Sequence, residues 1–323
     1  MNEKKVRYAV IGCGEHALRG HAIPGKEVPN LELVALCDPS QDQMLKFEEA
    51  YGAPLDKRTS EKDVLADPGV DAVLIASPDR FHAESLFDAI FAGKHALCEK
   101  PLATDRHDLQ AVVTALARAG EKGLVVTSCH PRRCDPPFLW VKEHLPSFVD
   151  QYGPVIGIDF DFSYHKPGKQ GLHVGLLMDH INHEYDLMNF LFGRSKATAR
   201  KLVDSQTRYH AVGIRKDGIA FSFAGTRLLE RRVYPEYCRL RFERGSLEVD
   251  CGRGVAEVRG HDTGATTPRY AGETDYRLRF VAVMANFAAS VLGAEANYLA
   301  HEDLLGNTEI GIALTEGDAW TSH

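Results

Sequence analysis

The sequence predicts a doubly wound α/β domain with a parallel sheet over residues 1–128, then an α+β domain over 129–323 whose mostly antiparallel open sheet carries flanking helices. Three observations predict it. Short β-branched runs alternate with helical patterns through the first 130 residues, which is how a parallel sheet covered by helices on both faces must be written. A glycine-rich turn joins the first strand to the first helix. Beyond a proline-containing stretch at 131–137 the apolar residues recur every second position instead. At about 150 residues per domain, a chain of 323 suits two.

In the first domain, strands are expected at 6–11, 31–37, 72–76, 95–98 and 124–128, and helices at 41–51, 81–92 and 105–119. Leu109, Val112, Val113 and Leu116 give the clearest helical spacing. Thr104 resembles an N-cap, and Gly93 and Gly120 stand where C-terminal glycines end helices. In the second domain, helices are expected at 138–145 and 178–192 with a strand at 157–164 between them. Further strands follow at 197–203, 209–214, 219–228, 237–244 and 255–259, with turns at Asp217-Gly218 and Arg244-Gly245. Arg239-Leu240-Arg241-Phe242 sends arginines to one face and apolar groups to the other, the pattern of a sheet with one solvated face. A helix at 276–292 and a helical stretch after His301 close the chain.

Composition is that of a folded globular protein, with 44% hydrophobic and 26% charged residues. A net charge of -7 offers no global attraction for nucleic acid or an anionic membrane, and neither is expected as a partner. The seven cysteines are odd in number, scattered and free of C-x-x-C pairs, which disfavours disulfides and structural zinc. The apolar run at 6–11 is too short for a secretion signal, and no run reaches the roughly 18 residues of a membrane helix. A reduced, cytoplasmic setting is expected.

The first strand runs into Gly12-Cys13-Gly14-Glu15-His16-Ala17, a G-x-G-x-x-A turn opening a helix. Its glycines permit a tight turn and close backbone approach, and the helix-terminal amides can hold a pyrophosphate. Asp38 ends the second strand, where a carboxylate can accept both ribose hydroxyls of an adenosine. The same carboxylate would repel a 2′-phosphate, and Pro39-Ser40-Gln41 supplies no compensating arginine. The reading is a Rossmann domain for NAD, with NADP disfavoured. Later strand ends carry Ser77-Pro78-Asp79-Arg80-Phe81-His82 and Glu99-Lys100-Pro101, and these aim Lys100 at the cofactor crevice.

With these residues in place the chain resembles the Gfo/Idh/MocA family of NAD(P)-dependent sugar and polyol oxidoreductases, over nearly its whole length. Ser77-Pro78-Asp79-x-x-His82, Gly93-Lys94-His95 and Cys98-Glu99-Lys100-Pro101-Leu102-Ala103 follow one another as the family's motifs do. Met178-Asp179-His180-Ile181-Asn182-His183-Glu184-Tyr185-Asp186 resembles its D-x-G-x-H-x-x-D helix, and the stretch from Ala300 resembles its last helical segment. Two positions depart: Ile181 replaces glycine, and Pro131-Arg132-Arg133 replaces Asn-Arg-Arg. Both are expected to adjoin the substrate and to bear on its identity.

Asp179, His183 and Asp186 lie at i, i+4 and i+7 and share one helix face. Hydride transfer from an alcohol also needs the hydroxyl proton removed, and an imidazole suits that task near neutral pH. His183 is the expected general base and Asp179 the group orienting its ring, duties the resemblance also assigns. For Lys100 the resemblance implies contact with the cofactor, stabilisation of the developing alkoxide and a cis Lys-Pro bond. The ammonium of Lys100 and the imidazole of His183 are thus expected to converge beside the nicotinamide.

The expected cofactor set is Gly12, Cys13, Gly14, Glu15, His16, Asp38, Ser77, Pro78, His82, Glu99 and Lys100. Expected substrate contacts are Lys100, His130, Arg133, Tyr164, His165, His180 and His183, with His173 a further candidate. Arg133 either grips a carboxylate or several hydroxyls, or locks the two domains together. The density of His, Lys and Arg points to a polar, partly anionic substrate. No metal is expected: His180 and His183 stand three apart rather than in the i, i+4 pair of zinc helices.

The activity expected is NAD-dependent oxidation of a secondary hydroxyl of a sugar, polyol or cyclitol. Two alternatives differ in class: a glycosidase that transiently oxidises a sugar carbon on captive NAD, and a sugar- or NAD-binding sensor without turnover. The resemblance further implies a homodimer or homotetramer built on the open sheet.

Overall fold

The computed structural model describes residues 4–164, 175–229, 236–251, 254–260, 266–272 and 275–322. The expected substrate residues His165 and His173 lie outside the described residues. By its internal contacts the chain forms two compact units, residues 1–131 with 276–308, and 132–275 with 309–323. The expected boundary at 128/129 thus falls three residues later, and the segment 276–308 returns to the first unit.

The first unit holds six parallel strands, β1 (Val6–Ile11), β2 (Leu31–Cys37), β3 (Asp56–Arg58), β4 (Ala72–Ile75), β5 (His95–Cys98) and β6 (Val126–Ser128), in the order β3-β2-β1-β4-β5-β6. Chain order reverses between β1 and β4, and at such a switch point the loops after neighbouring strands leave in opposite directions and open a crevice. A π-helical stretch, Ala17–Ala22, leads into α1 (Ile23–Gly25); α2 (Gln41–Tyr51), α3 (Glu61–Leu65), α4 (His82–Phe91) and α5 (Arg106–Lys122) complete the crossovers. The N-cap of α5 is Asp105, whose carboxylate accepts from the Asp108 amide, rather than Thr104. Its left-handed terminator is Gly123 rather than Gly120, so the helix runs one turn further than expected. Strand β3 is polar, three residues long and at the sheet edge, so it carries no apolar pattern to read.

In the second unit, α6 (Pro136–Tyr152) and α7 (Leu176–Phe192) flank β7 (Val155–Phe162) in sequence. Then come β8 (Ala197–Asp204), β9 (Arg208–Arg215), β10 (Ala220–Thr226), β11 (Glu236–Phe242), β12 (Gly245–Asp250), β13 (Val255–Gly260) and β14 (Thr266–Ala271). Helix α8 (Tyr276–Val291) belongs to the first unit, α9 (His301–Glu316) carries the chain back after residue 308, and β15 (Ala319–Thr321) ends it. The nine strands order as β14-β13-β12-β11-β7-β10-β9-β8-β15, antiparallel except for the parallel pair β7 and β10. Three of them, β12, β14 and β15, were not expected. Two of these, β14 and β15, are edge strands, and β12 follows β11 through the two-residue Glu243-Arg244 turn.

One face of this sheet packs Ile158, Phe160, Phe223, Leu240 and Leu247 against α6 and α7. The other face is solvated as the arginine pattern requires: Arg239 pairs with Glu248 at 2.9 Å and Arg241 with Asp159 at 3.0 Å, all partly exposed. At Gly213 on β9, a Cβ would stand 2.2 Å from the Phe221 ring and 2.3 Å from the Thr198 carbonyl oxygen on β8. The ring of Phe221 therefore lies where a side chain at 213 would stand. Gly213→Ala should cost about 1–3 kcal/mol through overpacking, read as a lower urea midpoint, whereas alanine at the open turn position Gly14 should leave the midpoint nearly unchanged on packing grounds.

Candidate functional site

In the first unit three turns meet where β1, β4 and β5 end. Gly12 has φ +90, and a Cβ there would lie 2.5 Å from the Ser77 amide, so no side chain fits between the glycine turn and the Ser77 turn. Around Gly14, by contrast, a Cβ would meet nothing within 4 Å. That open backbone at a helix start is what a pyrophosphate needs. Asp38 faces the turn: Oδ2 accepts from the Cys13 amide at 2.9 Å and Oδ1 from the Ser40 amide at 2.8 Å. Each carboxylate oxygen keeps acceptor capacity for a ribose hydroxyl. The residues present therefore fit a dinucleotide. Cys13 contributes backbone only, since its side chain is buried and burial pushes the thiol up to about 12.

Two expected cofactor contacts are braces in the structure. His82 is buried, with Nδ1 2.7 Å from the Pro101 carbonyl oxygen and Nε2 2.8 Å from that of Ser77, so it ties the Ser77 turn to the Lys100-Pro101 turn. Glu99 is buried too, and its Oε1 accepts from His16 Nε2 at 3.0 Å and His21 Nε2 at 2.6 Å. Burial alone would raise the Glu99 carboxyl, but the charge and hydrogen bonds of the two imidazoles hold it well below the usual carboxylate range. Its other oxygen accepts from the Lys100 amide at 3.2 Å, and the Lys100-Pro101 bond is cis, as the resemblance implied. Gly93-Lys94-His95 is likewise structural: the buried Lys94 ammonium donates to the carbonyls of Asp67 and Val70, and His95 Nδ1 accepts from the Val125 amide. His130, expected at the substrate, has its amide on Tyr298 Oη at 3.1 Å and its Nε2 3.4 Å from Asn307 Nδ2, so it anchors the returning segment to the end of β6.

In the second unit the polar helix α7 is buried. Every residue from 180 to 189 is shielded, including His180, Asn182, His183, Glu184 and Asp186. A merely solvated polar face is therefore excluded. The rings of Tyr164, His180 and Tyr209 stack in series, with centroids 5.2 and 5.6 Å apart, and Asp179 Oδ2 lies 3.7 Å from His180 Nε2. Tyr209 Oη donates to Glu184 Oε1 at 2.5 Å, and burial pushes the Glu184 carboxyl well above the usual carboxylate range. Glu184 and Tyr209 had not been singled out. Glu184 is legible in principle, four residues after His180 on one helix face, but Tyr209 arrives from β9 and only the fold places it.

The Ile181 departure is a packing change. Ile181 is fully buried in the core, and its side chain approaches Gly311 of α9. Arg133 is engaged within its own unit: Nε donates to Asp186 Oδ2 at 2.8 Å and Nη2 to Oδ1 at 2.7 Å, with both side chains more than nine-tenths buried. Arg132 pairs with Glu236 at 2.9 Å and lies over the Phe162 ring. Donor sets close enough to share a cation occur, among the described residues, at His16, His21 and Glu99, at Asp105, His107 and Asp108, and at Asp135, Glu236 and Cys251; none includes His180 or His183. Because Arg133→Ala would leave Asp186 buried with a broken pair, it should cost about 3–5 kcal/mol in unfolding free energy. A change in substrate KM with unchanged stability would instead mark Arg133 as a substrate ligand alone.

Comparisons with known proteins agree with this geometry. Residues 6–128 match the family model described as the Gfo/Idh/MocA oxidoreductase family, NAD-binding Rossmann fold. The chain is 30% identical over 223 residues to the 1,5-anhydro-D-fructose reductase of Ensifer adhaerens, an alignment spanning 66% of this chain and 62% of that protein. It is 27% identical over 195 residues to the NAD(+)-dependent scyllo-inositol 2-dehydrogenase of Bacillus subtilis, spanning 59% of this chain and 55% of that one. In fold it is similar to a levoglucosan dehydrogenase solved with NADH and levoglucosan, at a TM-score of 0.84 and 16% identity over 98% of this chain and 99% of that one. With the glycine turn, the Ser77-Pro78 turn and the Glu99-Lys100-Pro101 turn all in their expected elements, residues 6–128 form an NAD-binding Rossmann domain of the Gfo/Idh/MocA oxidoreductase family.

Proposed function

We propose that the chain is a dehydrogenase that uses NAD in preference to NADP and acts on a secondary hydroxyl of a neutral sugar, polyol or cyclitol. The observation that carries this reading is the burial of α7's polar face, with His180 and His183 each 9% exposed. Sheltered ionisable groups gathered on one helix are what proton transfer in a water-poor site requires. NAD, when bound, supplies the hydride acceptor. His183 takes the hydroxyl proton, Asp179 orients that imidazole and favours its protonated form, and Lys100 holds the developing alkoxide and contacts the cofactor.

The engagement of Arg132 and Arg133 supports a neutral substrate. A carboxylate ligand would call for a fork-shaped donor, and Arg132 and Arg133 are both engaged by acids of their own unit. The names of the inositol and anhydrosugar enzymes to which the chain is similar support a polyhydroxylated substrate. Seven free cysteines, six of them buried, support a reducing cytoplasmic setting. Ile156, Leu202 and Ile214, each about half exposed on the open sheet, support pairing of subunits through that face into a homodimer or homotetramer.

Lys100→Ala and His183→Ala should each lower turnover about 10²- to 10⁴-fold while NADH still titrates to saturation. Parental turnover in either variant would refute the assignment. Among inositols, aldoses, anhydrosugars and sugar acids, the neutral compounds should produce NADH and the acids should not; the reverse pattern overturns the substrate class. Asp38→Ala should weaken NADH binding about 10- to 100-fold and shift the NADPH-to-NADH affinity ratio toward NADPH. An equal loss for both cofactors would assign Asp38 to bracing the turn alone.

A further inference from the structure

The helix after the glycine turn opens on a π-turn at Ala17–Ala22, and this has a chemical consequence. In an α-helix, residues five apart stand about 140° apart around the axis. The wider π-turn, closed by i to i+5 hydrogen bonds, brings such residues toward one side. His16 and His21 are five apart, and their Nε2 atoms converge on the same oxygen of Glu99. The Phe280 ring meets both imidazoles edge-on, with centroids 5.9 and 6.0 Å away. His21 is wholly buried, whereas the His16 side chain is 59% exposed. His16 also stands two residues after Gly14, among the first amides of the helix, where a dinucleotide's pyrophosphate is held.

We propose that His16 bridges the buried carboxylate to the cofactor, donating through Nε2 to Glu99 and through Nδ1 to a pyrophosphate oxygen. The proposal rests on the NAD-binding reading of the first unit and adds a residue and a pH dependence to it. An imidazole that donates at both nitrogens must carry two protons, because the neutral ring has one N–H. The bridge therefore forms only with the charged ring, and affinity falls as pH rises and that proton is lost. The charged groups on the surrounding elements are Glu15 and Arg19 of the same helix, paired with each other at 3.0 Å, Glu99 and Lys100 of the β5 turn, Asp38 after β2, and on α8 Arg277, paired with Glu27, and Arg279, stacked on Tyr276. The bridge also links cofactor arrival to the Lys100 turn, since Glu99 accepts from the Lys100 amide.

ADP-ribose, which keeps the pyrophosphate and lacks the nicotinamide, tests this without any turnover. Its dissociation constant should rise about tenfold between pH 6 and pH 9 in the parent. His16→Gln, at a half-exposed position that should not disturb folding, should give a flat profile about tenfold weaker than the parent at pH 6 and equal to it at pH 9. Adenosine, which has no pyrophosphate, should bind with the same weak pH dependence in both proteins. Parallel ADP-ribose profiles in parent and variant, or a flat parent profile, overturn the proposal. Failure of the proposed dehydrogenase chemistry leaves these binding curves unchanged, so the two readings fail separately.

Discussion

A carboxylate taken out of water has to be matched by charge and hydrogen bonds, and in the first unit that requirement falls on Glu99. Two imidazoles and the Lys100 amide meet it. The partners belong to two segments: the histidines to the helix after the glycine turn, the amide to Lys100, the residue proposed to hold the alkoxide. One buried charge therefore fixes the start of the cofactor helix and the departure point of the lysine in the same act. The ring of Phe280, on the segment that returns to this unit, packs edge-on against both histidines, so residues 276–308 help to shelter the cluster.

The second unit solves the same problem with different chemistry. Helix α7 carries more polar groups into its core than a hydrophobic layer tolerates unpaired, and each described one is treated according to type. Asp186 takes the Arg133 fork. Glu184 accepts from the Tyr209 phenol, and burial pushes its carboxyl well above the usual range. His180 is stacked between Tyr164 and Tyr209, which fixes its plane. With so many neighbours held by pairing and stacking, the helix face at Asp179 and His183 is set by rigid surroundings, the condition under which side chains can act on a substrate with little reorganisation.

Much of this was legible because the local rules were strong. Strands β1, β2 and β5 and helix α2 lie where apolar runs and helical spacing placed them. The glycine turn and Asp38 were readable for the same reason, since positive φ and a strand-end carboxylate leave marks in sequence. Strand β3 and the edge strands β14 and β15 were not, because short polar strands owe their existence to a neighbour's unpaired backbone rather than to their own pattern. The pairing of His16 with His21 could not be read either: helical spacing separates them, and only the π-turn aligns them. For His82 and Glu99 the residue types pointed to the right crevice but not to the partner, because a histidine near a ligand and a histidine bracing two turns look alike until their acceptors are known.

The two departures from the family pattern show where such reading stops. An isoleucine in place of glycine on the helix that bears the proposed base reads, in one dimension, as narrowing a substrate pocket. In three dimensions Ile181 is wholly buried in the core, and it is Met178, one turn earlier on α7, that fills the space a side chain at Gly311 of α9 would take. Packed cores conserve volume across an interface rather than at a position, which lets one helix gain a side chain where its neighbour has none. Pro131 likewise opens a buried turn, Pro131–Cys134, whose two arginines are turned toward acids. Neither departure then serves as a guide to substrate. What distinguishes this chain chemically has to be sought in groups that packing does not already explain: the exposed imidazole at the cofactor turn, and the ring stack beside Asp179.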